Sequence, residues 1–167
     1  MEGKLRNMTA AYLSRTAPDG GREMLLLYRV GSRVVAPSWC GIGGHFEKEE
    51  LNNARACVLR EVYEETGLEE KDLLGMTMRY ACMRLKKGEI RQNYYFFAEL
   101  APGAQLPQES SEGRLEWVPY GDLLSREMPF TAYEVIRHYL HTGRYDDTLY
   151  ACATTERGAV FTPLLEF

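Results

Sequence analysis

Three glutamates in one short segment have the spacing of a metal site. Glu61, Glu64 and Glu65 stand at i, i+3 and i+4, so a helix places them side by side on one face. Carboxylates this close repel one another, and the repulsion costs stability unless a cation lies among them. Mg²⁺ in proteins commonly takes a few carboxylates together with substrate phosphates. The spacing therefore favours metal-assisted phosphate chemistry, and a solvated acidic helix surface is the alternative.

The segment that carries these glutamates has the signals of a helix over 54–66. Asn53 is a favourable N-cap, and Gly67 stands where a helix C-cap glycine belongs. On this helix Glu61 and Glu65 border the apolar stripe, so they rim the face that should pack on a sheet. The glycine-rich stretch just before the helix allows the backbone to approach a metal or a phosphate closely.

These residues resemble the Nudix box, G-x5-E-x7-R-E-U-x-E-E-x-G-U, where U is a bulky aliphatic residue. Arg60–Leu68 (REVYEETGL) agrees with the second half at every specified position. Gly44-x5-Glu50 fits the first half, but nine residues instead of seven separate Glu50 from Arg60. We interpret this difference as two additional residues in the loop before the helix. The glutamate that pairs with Arg60 is then one of three loop residues, namely Glu47, Glu49 and Glu50.

The resemblance implies an α/β fold, a Nudix-type α/β/α sandwich with a mixed β-sheet, and we expect a single domain over 1–167. The order of the flanking elements is similar. An apolar strand at 22–30 precedes the glycine loop, and paired strands follow the helix. The loop 101–114 lacks periodicity and is predicted to be without regular structure, and a second helix is predicted over 131–142.

The implied activity is Mg²⁺-dependent hydrolysis of a nucleoside diphosphate linked to another group, with Mn²⁺ as a substitute metal. Trp39–Gly44 (WCGIGG) is similar to the W-x-G-x-G-G of family members that remove oxidised purine nucleoside triphosphates. The favoured substrate is therefore a purine nucleoside triphosphate, oxidised or not, which gives monophosphate and pyrophosphate. The alternatives are ADP-ribose or a nucleotide sugar, a dinucleoside polyphosphate, or a nucleotide-sensing Nudix module without turnover.

The resemblance also implies which residues form the site. The same three glutamates and the carbonyl of Gly43 would bind the metal, and the glutamates are also the catalytic set. The general base is either Glu61 or an acid in the loop 101–114, where Glu112 is preferred to Glu109. Arg60 is expected to be structural, paired with the loop glutamate.

Three further residues are candidates for binding the substrate. Arg29 follows an apolar strand and could meet a phosphate, with a surface cation as the alternative. Trp39 could stack on a base, and a core aromatic is the alternative. Gly44 belongs to the loop whose backbone can approach a phosphate. His138 and His141 have a spacing that suits a metal, but no third ligand accompanies them.

Composition limits the partners. Twenty basic and twenty-four acidic side chains give a formal net charge of −4, which argues against binding to a DNA or RNA duplex or to an anionic membrane. The partner is expected to be a small-molecule nucleotide, and a homodimer is compatible with the family. Four cysteines without a metal-type spacing suit a reducing compartment, so the expected location is cytoplasmic.

Overall fold

The computed structural model describes residues 3–30, 36–107 and 109–166, apart from the side chain of Glu109. Within these ranges the chain forms nine strands and two α-helices, together with short 3-10 turns. In chain order they are β1 (Lys4–Thr16), β2 (Arg22–Arg29), β3 (Ser38–Cys40), α1 (Ala54–Thr66), β4 (Leu73–Lys86), β5 (Glu89–Leu100), β6 (Glu109–Ser110), β7 (Gly113–Pro119), α2 (Phe130–His141), β8 (Leu149–Thr155) and β9 (Gly158–Leu164).

All nine strands belong to one mixed sheet. Its order is β6-β7-β2-β1-β5-β4-β8-β9, and β3 lies beside β2. β1 pairs with β5 and β4 with β8 in parallel, whereas the other pairs are antiparallel. The mixed sheet agrees with the sequence-based expectation.

The central strands have an apolar core on each face. Successive side chains of a strand point to opposite faces, and the neighbours Tyr12 and Leu13 of β1 are both fully buried, in different clusters. Leu13 packs in the cluster of Val58 from α1, whereas Tyr12 packs in the cluster of Val135 from α2. The sheet is therefore covered by one helix on each face, which confirms the α/β/α sandwich.

Two predicted segments differ from the structure. The loop 101–114 contains β6 and the start of β7, which form a tight antiparallel hairpin through the pairs Glu109–Arg114 and Ser110–Gly113. The prediction was wrong there because a two-residue strand is too short to show alternation. The second helix begins at Phe130 and ends at His141, one residue earlier at each end than predicted.

Among the described residues, no helix combines the length and apolarity needed to cross a membrane.

Candidate active site

Helix α1 positions the three predicted glutamates, with both ends capped as expected. The Asn53 side chain accepts a hydrogen bond from the Ala56 N–H at 3.0 Å, and Gly67 has a left-handed backbone with φ of 72°. Glu61 and Glu65 are buried, with 8% and 5% of their surface exposed. The Glu64 side chain is 55% exposed. Two carboxylates therefore face the sheet, and the third lies at its rim.

The glycine loop runs beside β1 and is joined to it by backbone hydrogen bonds. The Thr9 N–H donates to the Gly44 carbonyl at 2.9 Å, and the Ala11 N–H donates to the Ile42 carbonyl at 2.6 Å. A Cβ on Gly43 would come within 2.8 Å of Ala10 Cα. Since no side chain fits there, glycine lets the loop lie directly against the strand.

The second box glycine makes room for a carboxylate. A Cβ on Gly44 would lie 2.5 Å from Oε1 and 2.6 Å from Oε2 of Glu61. A side chain at position 44 would displace the Glu61 carboxylate, so the observed position of this carboxylate requires glycine there.

Arg60 binds the carboxylates on one side of α1. Its Nε and Nη2 donate to the two oxygens of Glu50 at 2.7 and 2.9 Å. Nη1 donates to Glu61 at 2.8 Å and to Glu64 at 3.2 Å, and Nη2 also reaches the His45 carbonyl at 3.1 Å. These contacts confirm that Arg60 pairs with a loop glutamate and show that Glu50 is the partner. The guanidinium lowers the pKa of Glu50 to about 2.

Arg29 lies on the other side, beside Gly43 and Glu65. Its Nη2 donates to the Gly43 carbonyl at 2.9 Å, lies 3.5 Å from Glu65 Oε1, and forms an ion pair with Glu112. The tight hairpin of β6 and β7 carries Glu112, and the pairing of Arg29 with Gly113 sets its position beside β2. The candidate base therefore reaches α1 from a distant part of the chain.

Glu65 is the least satisfied acid of the site. Both of its carboxylate oxygens are buried and have no hydrogen-bond partner within the described chain. Burial, followed by the charge of Glu112, raises its pKa to about 7, although Arg29 acts in the opposite direction. Burial also raises the pKa of Glu61. A bound cation would stabilise the charged form of these buried carboxylates, because it would neutralise their charge and coordinate their oxygens.

Trp39 belongs to a different part of the molecule. It is 7% exposed and packs in the core on the α2 face, with its ring centroid 4.9 Å from that of Tyr28. The Arg126 guanidinium lies 4.7 Å from its ring, and that of Arg114 lies 5.9 Å away. The structure therefore favours the core-aromatic interpretation over an open stacking platform. Sequence reasoning missed both arginines, because neither stands near Trp39 in the chain.

The donor set fits a divalent cation, although the carboxylates are engaged by arginines. Among residues 3–30, 36–107 and 109–166, no three Asp, Glu, His or Cys side chains are grouped closely enough to hold a metal. Arg60 holds Glu61 and Glu64, which accounts for part of this separation. Arg29 contacts both the Gly43 carbonyl, at 2.9 Å, and Glu65 Oε1, at 3.5 Å, and the two Glu65 oxygens have no hydrogen-bond partner in the described chain. Hard oxygen donors of this kind suit Mg²⁺ or Mn²⁺.

Comparison with known families identifies the family of the chain. The NUDIX domain family matches residues 6–139. The chain belongs to this family. It is a Nudix hydrolase that acts on phosphoanhydride bonds in nucleoside diphosphate derivatives. The family uses divalent metal ions, in keeping with the acids of α1.

Solved Nudix structures share the fold. The MutT protein of Bacillus halodurans has a TM-score of 0.65 and 23% identity, over 96% of this chain and 95% of that one. The NUDIX domain of Shewanella oneidensis NrtR, solved with ADP ribose, has a TM-score of 0.61 and 18% identity, over 87% of this chain and 91% of that one. The Ap4A hydrolase of C. elegans has a TM-score of 0.63 and 18% identity, over 84% of this chain and 99% of that one. At these identities the similarity establishes the fold.

Proposed function

We propose that this Nudix hydrolase is a Mg²⁺-dependent pyrophosphohydrolase of purine nucleoside triphosphates, oxidised or not, releasing the monophosphate and pyrophosphate. The observation that carries the metal site is the buried Glu65 carboxylate, which has no hydrogen-bond partner and lies beside Arg29 and Glu112. The WCGIGG sequence of the glycine loop supports the choice of substrate.

The metal would be held by the carboxylates of Glu61, Glu64 and Glu65 and by the carbonyl of Gly43. When bound, Mg²⁺ neutralises charge on phosphate oxygens and lowers the pKa of a bound water molecule. Gly44 leaves the space that the Glu61 carboxylate occupies, and Arg60 fixes the orientation of that carboxylate from its outer side.

Arg29 and Glu112 supply the remaining polar groups. Arg29 is 39% exposed as a side chain, so its guanidinium is available to a phosphate as well as to Glu112. Release of Glu112 from Arg29 by an incoming phosphate would leave a free carboxylate near Glu65, in a position to accept a proton. Glu61 stays the alternative base, since its pKa is raised by burial.

Several broader expectations complete the proposal. The chain from 1 to 167 would act as one domain in the cytoplasm, with a small-molecule nucleotide as its partner and no nucleic-acid duplex or membrane. A homodimer remains a prediction, as does the choice between Mg²⁺ and Mn²⁺.

A substrate panel with product identification tests the proposal. Purified protein with Mg²⁺ would be incubated with 8-oxo-dGTP, dGTP, ATP, ADP-ribose and diadenosine tetraphosphate, and the products would be separated by ion-exchange chromatography. We expect the highest kcat/KM for a purine triphosphate, with pyrophosphate as a product. Much faster turnover of ADP-ribose or the dinucleotide would reject the substrate, and absence of turnover across the panel would reject the proposed reaction.

A further inference from the structure

Three arginines stand directly opposite one another on neighbouring strands. Arg6 of β1 is the register partner of Arg91 of β5, and Arg91 is the partner of Arg84 of β4. Neighbouring strands lie ~4.8 Å apart, so three guanidinium groups start from points spread over ~10 Å. We call these residues the arginine row. Side chains alternate along β5, so Arg91 shares a face with Tyr95, which packs in the core on the α2 side.

More cations flank the row, and a single acid is shared among them. Two register positions further along, and therefore on the same face, Glu89 stands between Lys4 and Lys86. Its carboxylate lies 3.0 Å from Lys4, 3.5 Å from Arg6 and 3.3 Å from Arg91. Glu89 therefore forms ion pairs with three of the five cations, and Arg84 and Lys86 are the other two.

Some cations of the arginine row and its flank have no acidic or hydrogen-bonding partner among the described residues. Within the described chain Arg84 and Lys86 form no ion pair, and the Nε of Arg91 is buried without a hydrogen-bond partner. Glu156 lines a pocket of about 460 Å³ together with Arg84, but no ion pair joins the two. The positive charge of Arg84 and Arg91 also lowers the pKa of Lys86.

Such an arrangement works against the stability of the sheet. Like charges directly opposite one another on paired strands are destabilising, and the row contains two such pairs in succession. It also gathers positive charge at one place in a chain whose formal net charge is −4. A multiply charged oxyanion would relieve the repulsion and satisfy the free N–H groups at once.

We propose that the arginine row is a binding site for phosphate groups, separate from the carboxylates of α1. Guanidinium groups bind phosphate through paired N–H donors, and several adjacent ones suit a ligand with several phosphates. The row lies three residues along β1 from Thr9, which is bonded to the glycine loop, so the separation along the strand is ~10 Å. The row is on the α2 face of the sheet, whereas Thr9 contacts Cys57 of α1 on the other face. The phosphates belong either to a nucleotide that also reaches the active site or to an independent oligophosphate.

Calorimetric titration with tripolyphosphate tests the site without turnover. EDTA is present throughout, so that no divalent metal bridges the ligand to the α1 carboxylates. We expect the double variant Arg84→Gln/Arg91→Gln to bind at least about tenfold more weakly than the wild type. Arg22→Gln is the matched control, because it removes an exposed, ion-paired arginine at the opposite end of β1 and β2, and its affinity should change less than about twofold. Equal affinity in wild type and double variant, or no binding to wild type at about 1 mM, would overturn the proposal.

Thermal unfolding in the absence of ligand separates this role from a structural one. Because Arg84 faces Arg91 without an acidic partner, Arg84→Gln should raise Tm by about 1–3 °C. A lower Tm combined with unchanged tripolyphosphate affinity would show that the arginines stabilise the sheet and would refute a binding role.

Kinetics with a nucleoside triphosphate then identify the source of the phosphates. A raised KM with unchanged kcat in the double variant would support binding of the substrate's own phosphates. Unchanged kinetics together with lost tripolyphosphate affinity would support an independent oligophosphate. Failure of the row is distinguishable from failure of the proposed reaction, because the titration requires no hydrolysis.

Discussion

Two arginines divide the candidate active site into halves that differ in how completely their acids are paired. Arg60 donates to Glu50, Glu61 and Glu64 at 2.7–3.2 Å, and both oxygens of Glu50 are bonded. Arg29 donates to a carbonyl and faces Glu65 at 3.5 Å, but neither oxygen of Glu65 has a hydrogen-bond partner. The Arg60 half is arranged as a supporting ion-pair network, whereas the Arg29 half leaves a buried acid unsatisfied.

The same contrast is visible in the acidity of two glutamates. The pKa of Glu50 falls to about 2, chiefly because Arg60 hydrogen-bonds its charged form. The pKa of Glu65 rises to about 7, chiefly because burial disfavours its charge and Glu112 adds repulsion. Identical side chains therefore serve different purposes. One stabilises the loop before α1, and the other has two unpaired oxygens for an incoming cation.

The largest expected effect follows from neutralising the unsatisfied acid. Glu65→Gln should lower kcat about 100-fold or more, because it removes a proposed metal ligand, and Glu64→Gln should act in the same direction. The Tm of Glu65→Gln in EDTA should not fall, since a buried charge without hydrogen bonds is lost. Glu49→Gln, an exposed loop glutamate, is the control. Unchanged metal-dependent activity in Glu65→Gln would contradict the role given to this residue.

Filling the space beside Glu61 should have the next largest effect. In Gly44→Ala the added methyl group would meet the Glu61 carboxylate at 2.5 Å, so the carboxylate must move. We expect Mn²⁺ affinity, measured by electron paramagnetic resonance titration, to fall about 10–100-fold. Gly121→Ala is a suitable comparison, because no atom lies within 4 Å of the added methyl group. Equal affinity in the two variants would show that the position of Glu61 is not critical.

Replacing Arg60 should lower the free energy of unfolding more than replacing Arg29. Arg60→Gln leaves several carboxylates without their donor and should lower the free energy of unfolding by about 2 kcal/mol. Arg29→Gln should lower it by about 1 kcal/mol or less, because its side chain is more exposed and Glu65 gains little from it. Urea denaturation in EDTA provides the measurement. The reverse order would show that Arg29 is the main structural residue.

The smallest effect concerns acid stability. The folded-state pKa of Glu50 is about 2, below its ordinary value of 4.5, so its stabilisation is present above about pH 4.5 and is lost as the pH falls towards about 2. The difference in unfolding free energy between wild type and Glu50→Gln should therefore shrink between about pH 6 and about pH 3. A constant difference over this range would indicate that the Arg60 contact does not depend on the charge of Glu50.

The sequence was most informative where signals are local. Asn53 and Gly67 marked both ends of α1 correctly, because caps act through hydrogen bonds within one turn. The alternative glutamates for Arg60 could not be separated, since Glu47, Glu49 and Glu50 differ only in how the 3-10 turn at Lys48–Glu50 directs them. That direction depends on tertiary packing.

Contacts between distant segments were beyond the reach of spacing arguments. Glu112 was a candidate base, but its pairing with Arg29 follows from the register of β7 on β2. The arginine row was invisible for the same reason, because Arg6, Arg84 and Arg91 become neighbours only through the pairing of β1, β5 and β4. The burial of Trp39 likewise depends on residues supplied by the segment around Arg126.

The backbone bonds between β1 and the glycine loop have a consequence for local unfolding. Thr9 and Ala11 donate their amide protons to the loop, while β1 also pairs with β2 and β5 in the middle of the sheet. The loop cannot detach without exposing these amides to solvent, so their hydrogen–deuterium exchange reports directly on the loop's opening. If they exchange as slowly as the central amides of β5, the glycine loop belongs to the same cooperative unit as the sheet and is lost only when the protein unfolds.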